Sequence, residues 1–214
     1  MKQKMTTPFP INRFAFIFIF LLSFHFSFAQ EDHKESFTEN KSGFMMNLGL
    51  YQPLGFGNNI AGKAMNQQPG INYSLLYRIP NTKILAGSTF YGFKSTVKKS
   101  EISKTGNYDK SLISFIGLQA GYIFWENPTW LAYINGSFGY VQYRNKSSEF
   151  NFKDEGSAIH ISPTINYKFH KNFSVYSAIS YRHDFLNIKA PAEIKDLFKN
   201  QDYITFSLGI SLLF

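Results

Sequence analysis

The sequence predicts an all-β chain that folds as an eight-stranded antiparallel up-and-down transmembrane β-barrel. Three observations support this prediction. After residue 42, apolar residues recur at every second position in one segment after another, which is the period of a β-strand. Short and long connections alternate between these segments, and the charged residues within the segments are all assigned to the side opposite the apolar one. No long helical periodicity competes with this pattern after residue 42.

Eight segments carry the period of two and are rich in aromatic and β-branched residues. Each is close to or above the roughly 9–11 residues that a tilted strand needs to cross a bilayer. Their predicted bounds are Phe44–Gln52, Gly70–Ile79, Ile84–Val97, Ser111–Trp125, Trp130–Tyr143, Ser157–Phe169, Phe173–Phe185 and Tyr203–Phe214.

The connections between these segments are of two kinds. A compact soluble domain rarely has four long loops without structure of their own, whereas outer-membrane barrels combine short periplasmic turns with long extracellular loops. The first strand is therefore expected to start at the periplasmic side. The tight turns are Pro80–Lys83, Glu126–Thr129 and His170–Asn172, and the long polar loops are Pro53–Pro69, Lys98–Asp109, Arg144–Gly156 and Leu186–Asp202.

The polar face of the strands distinguishes a membrane barrel from a soluble one. A soluble barrel would expose charged side chains on its outside, whereas a crowded lumen favours small uncharged ones. In the last segment, Ile204, Phe206, Leu208, Ile210, Leu212 and Phe214 share one face, and Thr205, Ser207, Gly209 and Ser211 share the other. The apolar face is therefore predicted to meet lipid.

The charged residues within the segments are predicted to point into the lumen, because a charge facing lipid near mid-bilayer costs about 2–4 kcal/mol. These residues are Arg78, Lys94, Lys168, Arg182 and Asp184. With His160 and Ser162 they form the predicted polar network of the lumen. Arg182 and Asp184, two positions apart, are expected to pair with each other or with neighbours, because a buried charge needs a partner.

The alternation is least regular in the fourth and fifth segments. Large aromatic and aliphatic residues there fall on the predicted inner face, namely Phe115, Trp125, Leu131 and Tyr133.

The first 29 residues predict a cleavable signal peptide. They start with basic residues and no acidic one, and the apolar run Phe14–Leu22 is shorter than the about 20 residues of a membrane-spanning helix. Ser27 and Ala29 form a small-residue cleavage site before Gln30. The predicted organisation is a signal peptide at residues 1–29, a polar leader at 30–42 and the barrel at 43–214.

The amino-acid composition excludes several kinds of chemical site and partner. The chain has no cysteine, which excludes disulfides, a lipidated N-terminal cysteine and cysteine-based metal or nucleophile chemistry. Its net charge of +8 falls to +5 without the three basic residues of the signal peptide, which is too mild to indicate nucleic-acid binding. We therefore expect no cofactor, no metal and no nucleic acid.

The last segment resembles the C-terminal signature of outer-membrane β-barrel proteins, which ends on Phe after apolar residues at alternate positions. The matching positions are Tyr203, Phe206, Leu208, Ile210, Leu212 and Phe214. From Gly43 to Phe214 the chain resembles the small OmpA/OmpX-like barrel families. The resemblance implies a monomeric integral protein of the Gram-negative outer membrane, without a catalytic site. Its partners would be the barrel insertion machinery, outer-membrane lipid and lipopolysaccharide.

Two alternatives accompany the favoured role, which is a structural or interaction role through the extracellular loops. His160-Ile-Ser162 resembles the His-x-Ser pair of PagL-type lipid A deacylases, but Pro163 replaces the Asn of that family and Asn172 stands where its acid would fall. The second alternative is narrow transport or lateral diffusion of small apolar molecules. Pro163, which cannot donate a ladder hydrogen bond, could mark such an opening or only a bulge.

Two of the long loops have features of their own. The second loop is basic, so it is expected either to meet lipopolysaccharide phosphates or to be merely solvated. In the fourth loop, Glu193–Lys199 has the apolar spacing of one or two helical turns. The basic residues of the second loop and its flanks are Lys94, Lys98, Lys99, Lys104 and Lys110.

Overall fold

A computed structural model describes residues 43–105, 108–147, 151–188 and 192–214. The predicted signal peptide and polar leader lie outside the described residues. Cleavage before Gln30 therefore stays a prediction, which N-terminal sequencing of the membrane-bound protein can decide.

The described chain forms one antiparallel sheet of nine strands, eight of which close into a ring. The ninth, β2, is a three-residue piece that continues the line of β3 along β4, and the two are separated at Pro69, which has no N–H to donate. The strands are β1 Gly43–Phe56, β2 Met65–Gln67, β3 Gly70–Arg78, β4 Ile84–Val97, β5 Lys110–Glu126, β6 Trp130–Lys146, β7 Asn151–His170, β8 Phe173–Asn187 and β9 Asn200–Leu213.

The ring closes where the first strand pairs with the last. In the rest of the ring, each of the eight strands pairs with the ring strand that follows it along the chain, so the topology is up-and-down. The β1–β9 seam runs without a break from Met45 opposite Leu213 to Phe56 opposite Asp202. Closure leaves the barrel without a free edge, and the predicted eight-stranded antiparallel barrel is confirmed.

The two ends of the barrel differ. At one end, hereafter the turn end, strands are joined by the three predicted tight turns. At the other, the loop end, the connections include α1 (Ile60–Lys63), a 3-10 helix (Lys99–Lys104) and α2 (Ala192–Lys199). The helix predicted in the fourth loop is confirmed by α2. Among the described residues, none of the helices has the length and apolar content needed to span a membrane.

Three of the four long loops are shorter than predicted, because strand pairing continues at the loop end. The second has its predicted bounds, since β4 ends at Val97 and β5 begins at Lys110. Most of the predicted third loop is strand, since β6 runs to Lys146 and β7 starts at Asn151. Polar composition made this segment look like a loop. Its side chains nevertheless alternate, with Tyr143 and Asn145 buried and Arg144 and Lys146 exposed.

The outer surface of the barrel is apolar, whereas the inner one combines polar side chains with buried aromatic and aliphatic ones. Leu118, Leu50 and Phe138 are 77%, 65% and 63% exposed, although they are among the most apolar residues of the chain. In β9 the even-numbered residues from Phe206 to Ile210 point outward, and Thr205, Ser207 and Ser211 are buried, as predicted. A continuous exposed belt of this kind requires an apolar surrounding.

The irregular alternation of the fourth and fifth segments has a structural cause. Phe115, Leu131 and Tyr133 are buried inside the barrel, as the period of two predicted. Trp125 is on the outside, and its predicted inner position is wrong. The register of β5 against β6 shifts between Ile123 and Trp125, and the extra residue of this β-bulge reverses the facing of the strand end.

Lys94 is also placed differently from the prediction. Its neighbours Phe93 and Ser95 are buried, so the alternation of β4 turns Lys94 to the outside. The prediction assumed that charges are excluded from the whole outer face. That exclusion applies only to the height at which lipid chains lie, and Lys94 is four residues beyond Phe90, towards the loop end.

Candidate functional site

The loop-side half of the lumen is closed by an ion pair between two neighbouring inward residues of β8. Arg182 donates from Nε to Asp184 Oδ1 and from Nη2 to Oδ2, each at 2.6 Å. Tyr143 donates its hydroxyl to Asp184 Oδ2 at 2.6 Å, and its oxygen lies 2.8 Å from the hydroxyl of Tyr203. Both charged side chains are 0% exposed. The pair expected from the sequence is therefore present and fully enclosed.

Aromatic rings surround the guanidinium of this pair. The Arg182 Cζ atom lies 4.7 Å from the centroid of Tyr91, 5.1 Å from that of Tyr203 and 5.6 Å from that of Phe93. Tyr91 is in turn stacked between Tyr51 and Phe115, at 4.9 and 4.5 Å. A cation over ring faces is stabilised by their quadrupoles, so these rings offset part of the cost of removing Arg182 from water.

The middle of the lumen is a network of amides and hydroxyls. Asn47 donates to Ser74 and to Tyr133, both at 3.0 Å, and accepts from Ser211. Asn166 extends the network by donating to Ser211 at 3.0 Å. Each link joins a different pair of strands, so the network ties the barrel together across its interior.

Tyr176 fills the lumen where two glycines face each other across the β1–β9 seam. Gly49 is opposite Gly209, and a Cβ atom on Gly49 would lie 2.4 Å from the Tyr176 hydroxyl. A Cβ on Gly209 would lie 2.7 Å from the ring. The missing side chains let Tyr176 cross the seam and donate to Asn72.

A second ionic cluster closes the turn end. Glu126 accepts from Arg78 Nη1 at 2.9 Å, and Lys168 Nζ lies 3.6 Å from its other oxygen. Lys168 also donates to the carbonyl of Asn127 at 2.9 Å. The sequence predicted the inward facing of Arg78 and Lys168. It missed Glu126, which was assigned to a turn, because the bulge between Ile123 and Trp125 that sets the facing of this strand end is not visible in the sequence.

Comparisons with known proteins identify the architecture. No family model matches the chain, and no curated protein matches it at a significant level. Among solved structures it is similar to Neisserial surface protein A, with 13% identity, a TM-score of 0.53 and coverage of 84% of this chain and 99% of that one. The chain has the fold of a small outer-membrane β-barrel.

Two further structures of this kind superpose on the barrel. A major outer membrane protein from Thermus thermophilus has 9% identity and a TM-score of 0.53, covering 81% of this chain and 99% of that one. The outer membrane protein OprG from Pseudomonas aeruginosa has 10% identity and a TM-score of 0.51, covering 82% and 97%. At these identities the likeness extends to the fold alone.

His160 and Ser162 lie inside the barrel wall, as predicted. The His160 ring is 5.4 Å from that of Tyr91, and its Nε2 atom has no hydrogen-bond partner among the described residues. Ser162 accepts from Ser180 at 2.9 Å. The two side chains form no hydrogen bond with each other in the described structure, and Asn172, at the turn end, bonds to the carbonyl of Leu213.

Pro163 interrupts the ladder between β7 and β8 without shifting it. Ile161 is opposite Tyr181 and Thr164 is opposite Ala178, so the register is the same on both sides of the gap. The hydrogen bond from Ser180 to Ser162 bridges the gap from the lumen side. The described barrel therefore has two positions of β7 that are unpaired with β8, Ser162 and Pro163, with intact pairing above and below them.

The C-terminal residues predicted to act as an insertion signal lie on both faces of β9. Phe206, Leu208 and Ile210 are exposed on the outside, as is Phe214 beyond the end of the strand, and Leu212 is half-buried. Tyr203, in contrast, is fully buried against the ion pair of the lumen. Their role in insertion stays a prediction.

Three connections and the start of β7 meet over the loop end and form a cap. Ile60 and Met65 from the first connection pack with Tyr108 from the second, with Phe152 of β7 and with Phe198 of α2. Gln201, at the start of β9, joins two of these connections. It accepts from the Ala61 N–H at 2.8 Å and donates to the carbonyl of Leu197 at 2.9 Å.

Two titratable groups in this cap are partly removed from water. Burial raises the pKa of the Tyr108 phenol above its ordinary value, and the nearby Asp154 carboxylate acts in the same direction. Asp154, near the loop-side end of β7, accepts a hydrogen bond from Asn145 at 2.6 Å. Among the described residues, no group of three or more His, Asp or Glu side chains is arranged to hold a metal ion.

Proposed function

We propose that this chain is an integral outer-membrane β-barrel that acts through its outer surface and capped loop end. It does not conduct solutes and does not catalyse a reaction. One observation carries the proposal: the lumen is blocked by the fully buried Arg182–Asp184 pair and the rings around it. An eight-stranded barrel has an interior just wide enough to be filled by side chains. The ionic cluster at Glu126 blocks the same lumen a second time.

Purified protein in planar bilayers is therefore expected to give no ion conductance above that of the bare membrane. Single-channel recording checks this, with a general porin added to the same membrane as a positive control. Reproducible stepwise currents from the wild-type barrel would contradict a closed lumen. Uptake of small apolar solutes by vesicles containing the barrel would instead favour lateral diffusion near Pro163.

The orientation proposed here puts the loop end outside the cell and the turn end in the periplasm, after removal of the signal peptide. Since the chain has no cysteine, single cysteines can report on it without background. Lys195→Cys on α2 is expected to react with a membrane-impermeant maleimide on intact cells. Lys171→Cys in the last tight turn, also exposed, is expected to react only after the outer membrane is permeabilised. The reverse pattern, or equal labelling of both, would overturn the proposed orientation.

A further inference from the structure

Five basic side chains lie together on the outer wall of four neighbouring strands near the loop end. All five are exposed. They are Lys94 of β4, Lys110 of β5, Arg144 and Lys146 of β6, and Lys153 of β7, hereafter the wall patch. Of these five residues, only Lys94 and Lys110 belong to the second loop and its flanks. The other three are brought to them by the strand register, which the sequence does not show.

The register sets like charges directly against each other. Lys110 is opposite Lys146, and Arg144 is opposite Lys153. Directly opposed residues have Cβ atoms about 4.5–5.5 Å apart, and like charges at this position destabilise a sheet. Two such pairs on adjacent strands therefore carry a repulsion that an anion between them would remove.

Carboxylates of the described chain do not neutralise the patch. Within that part of the chain, none of the five cations forms an ion pair with Asp or Glu. Arg144 donates to Gln142, and the same amide donates to Glu155 at 3.1 Å. The amide thus stands between the guanidinium and the nearest carboxylate of β7. Among the described residues, Asp109 beside Lys110 and Glu155 two positions beyond Lys153 are the exposed carboxylates next to the patch, so two acidic side chains face five basic ones there.

The patch lies just above the apolar belt. Arg144 is four residues beyond Tyr140 on β6, and Lys94 is four beyond Phe90 on β4. At about 3.3 Å per residue and a tilt of about 40°, this places both cations about 10 Å above the outermost aromatic residues. Aromatic girdles mark the membrane interface, so the patch is at the height of lipid headgroups.

The opposite wall has no such patch. On β8 and β9, the described outward residues near the loop end are Asn187, Phe185, His183, Asn200 and Asp202. His183 lies 2.6 Å from Asp202, which also accepts from Tyr181 at 2.7 Å. The described outward strand residues on this side are neutral or acidic, so the strands would hold an anionic partner on one wall only.

We infer that the wall patch binds the phosphate groups of lipopolysaccharide in the outer leaflet. This inference rests on the outer-membrane location proposed above. Arg144 supplies a planar fork that can bind a phosphate through two parallel hydrogen bonds, and the four lysines supply point charges around it. The exposed Leu112, between Lys94 and Arg144 on the intervening strand, offers apolar contact to the same lipid.

The test uses the folded full-length barrel in phosphatidylcholine nanodiscs that contain bisphosphorylated lipid A. Bound lipid A is measured by native mass spectrometry. The variant Lys110→Gln/Arg144→Gln/Lys146→Gln/Lys153→Gln is expected to bind lipid A about tenfold more weakly than the wild type. The loss is no larger because each exposed contact contributes modestly. A matched control removes four exposed lysines elsewhere: Lys83, Lys171, Lys195 and Lys199 to Gln. Its affinity should stay within about twofold of the wild type, because only non-specific attraction is lost.

Three outcomes would overturn the inference. An equal loss of lipid A affinity in both variants would mean that only net charge matters. Equal binding of dephosphorylated lipid A would mean that the patch does not recognise phosphate. Inorganic phosphate that binds in nanodiscs without lipid A as tightly as lipid A binds would identify free phosphate as the ligand. The lipid A affinity is measured with reconstituted protein, so it does not depend on where the protein lies in the cell. If cysteine labelling places the chain outside the outer membrane, the proposed function is refuted, but the measured lipid A affinity remains valid.

A single substitution gives a second test that does not depend on the multiple variant. Lys146→Glu converts the repulsive pair with Lys110 into an attractive one. In nanodiscs without lipid A, the thermal midpoint should therefore rise above that of the wild type. With lipid A present, the order should reverse, because the variant loses a phosphate contact. A rise of the same size in both membranes would contradict phosphate binding at this position.

Discussion

Asp184→Ala is expected to lower the free energy of unfolding of the barrel by about 3–5 kcal/mol, because it leaves the buried guanidinium of Arg182 without its counter-ion. Arg182 makes two hydrogen bonds to this carboxylate, and both side chains are 0% exposed. The measurement is urea unfolding in lipid vesicles, followed by tryptophan fluorescence.

Two variants serve as controls for this prediction. Asp202→Ala removes a carboxylate that is also paired, with His183, but at the outer surface, and it should cost no more than about 1 kcal/mol. Arg182→Met/Asp184→Leu removes both buried charges, and it should recover much of the loss, since apolar replacement of a buried pair is often neutral. Unchanged unfolding of Asp184→Ala would show that this part of the lumen is wet.

Leu208→Arg is expected to destabilise the barrel in bilayers by about 2–4 kcal/mol, because the new charge faces lipid near mid-membrane. Leu208 is exposed in β9 between the outward residues Phe206 and Ile210. Equilibrium unfolding in vesicles measures the effect.

The matched control introduces the same residue on the same outer face, above the apolar belt. Asn187→Arg at the end of β8 is exposed beside water, so its effect should be within about 0.5 kcal/mol. Similar effects of the two substitutions would mean that the exposed apolar belt does not face lipid. Lipid-soluble quenchers provide an independent check, since they should reach a probe at position 208 but not one at position 207.

The number of strands and their two faces could be predicted because lipid and lumen impose opposite demands on alternate residues. Phe206 and Ser207 illustrate this, since one is exposed on the outside and the other is buried in the lumen. The same rule fails beyond the apolar belt, where water replaces lipid. It therefore placed Lys94 on the wrong face and interpreted the outer ends of β6 and β7 as a loop.

The partners within the lumen could be predicted only where they are close in sequence. Arg182 and Asp184 share a face two residues apart, so their pairing follows from the strand period alone. The rings of Tyr91 and Tyr203 around Arg182 come from strands far apart in the chain, and their proximity depends on a register that the sequence does not contain. The bulge beside Trp125 was hidden for the same reason.

The Tyr176 ring above the seam has a consequence for assembly. The seam joins the first and last strands, so it can close only after the strands between them have formed. A slip of two residues along the seam would keep every side chain on its proper face, and alternation alone cannot prevent it. In the native register, the ring lies over Gly49 and Gly209. A slip would put Asn47 or Tyr51 beneath the ring, and their side chains would collide with it. Tyr176 thus acts as a gauge that admits a single alignment of the two ends of the chain.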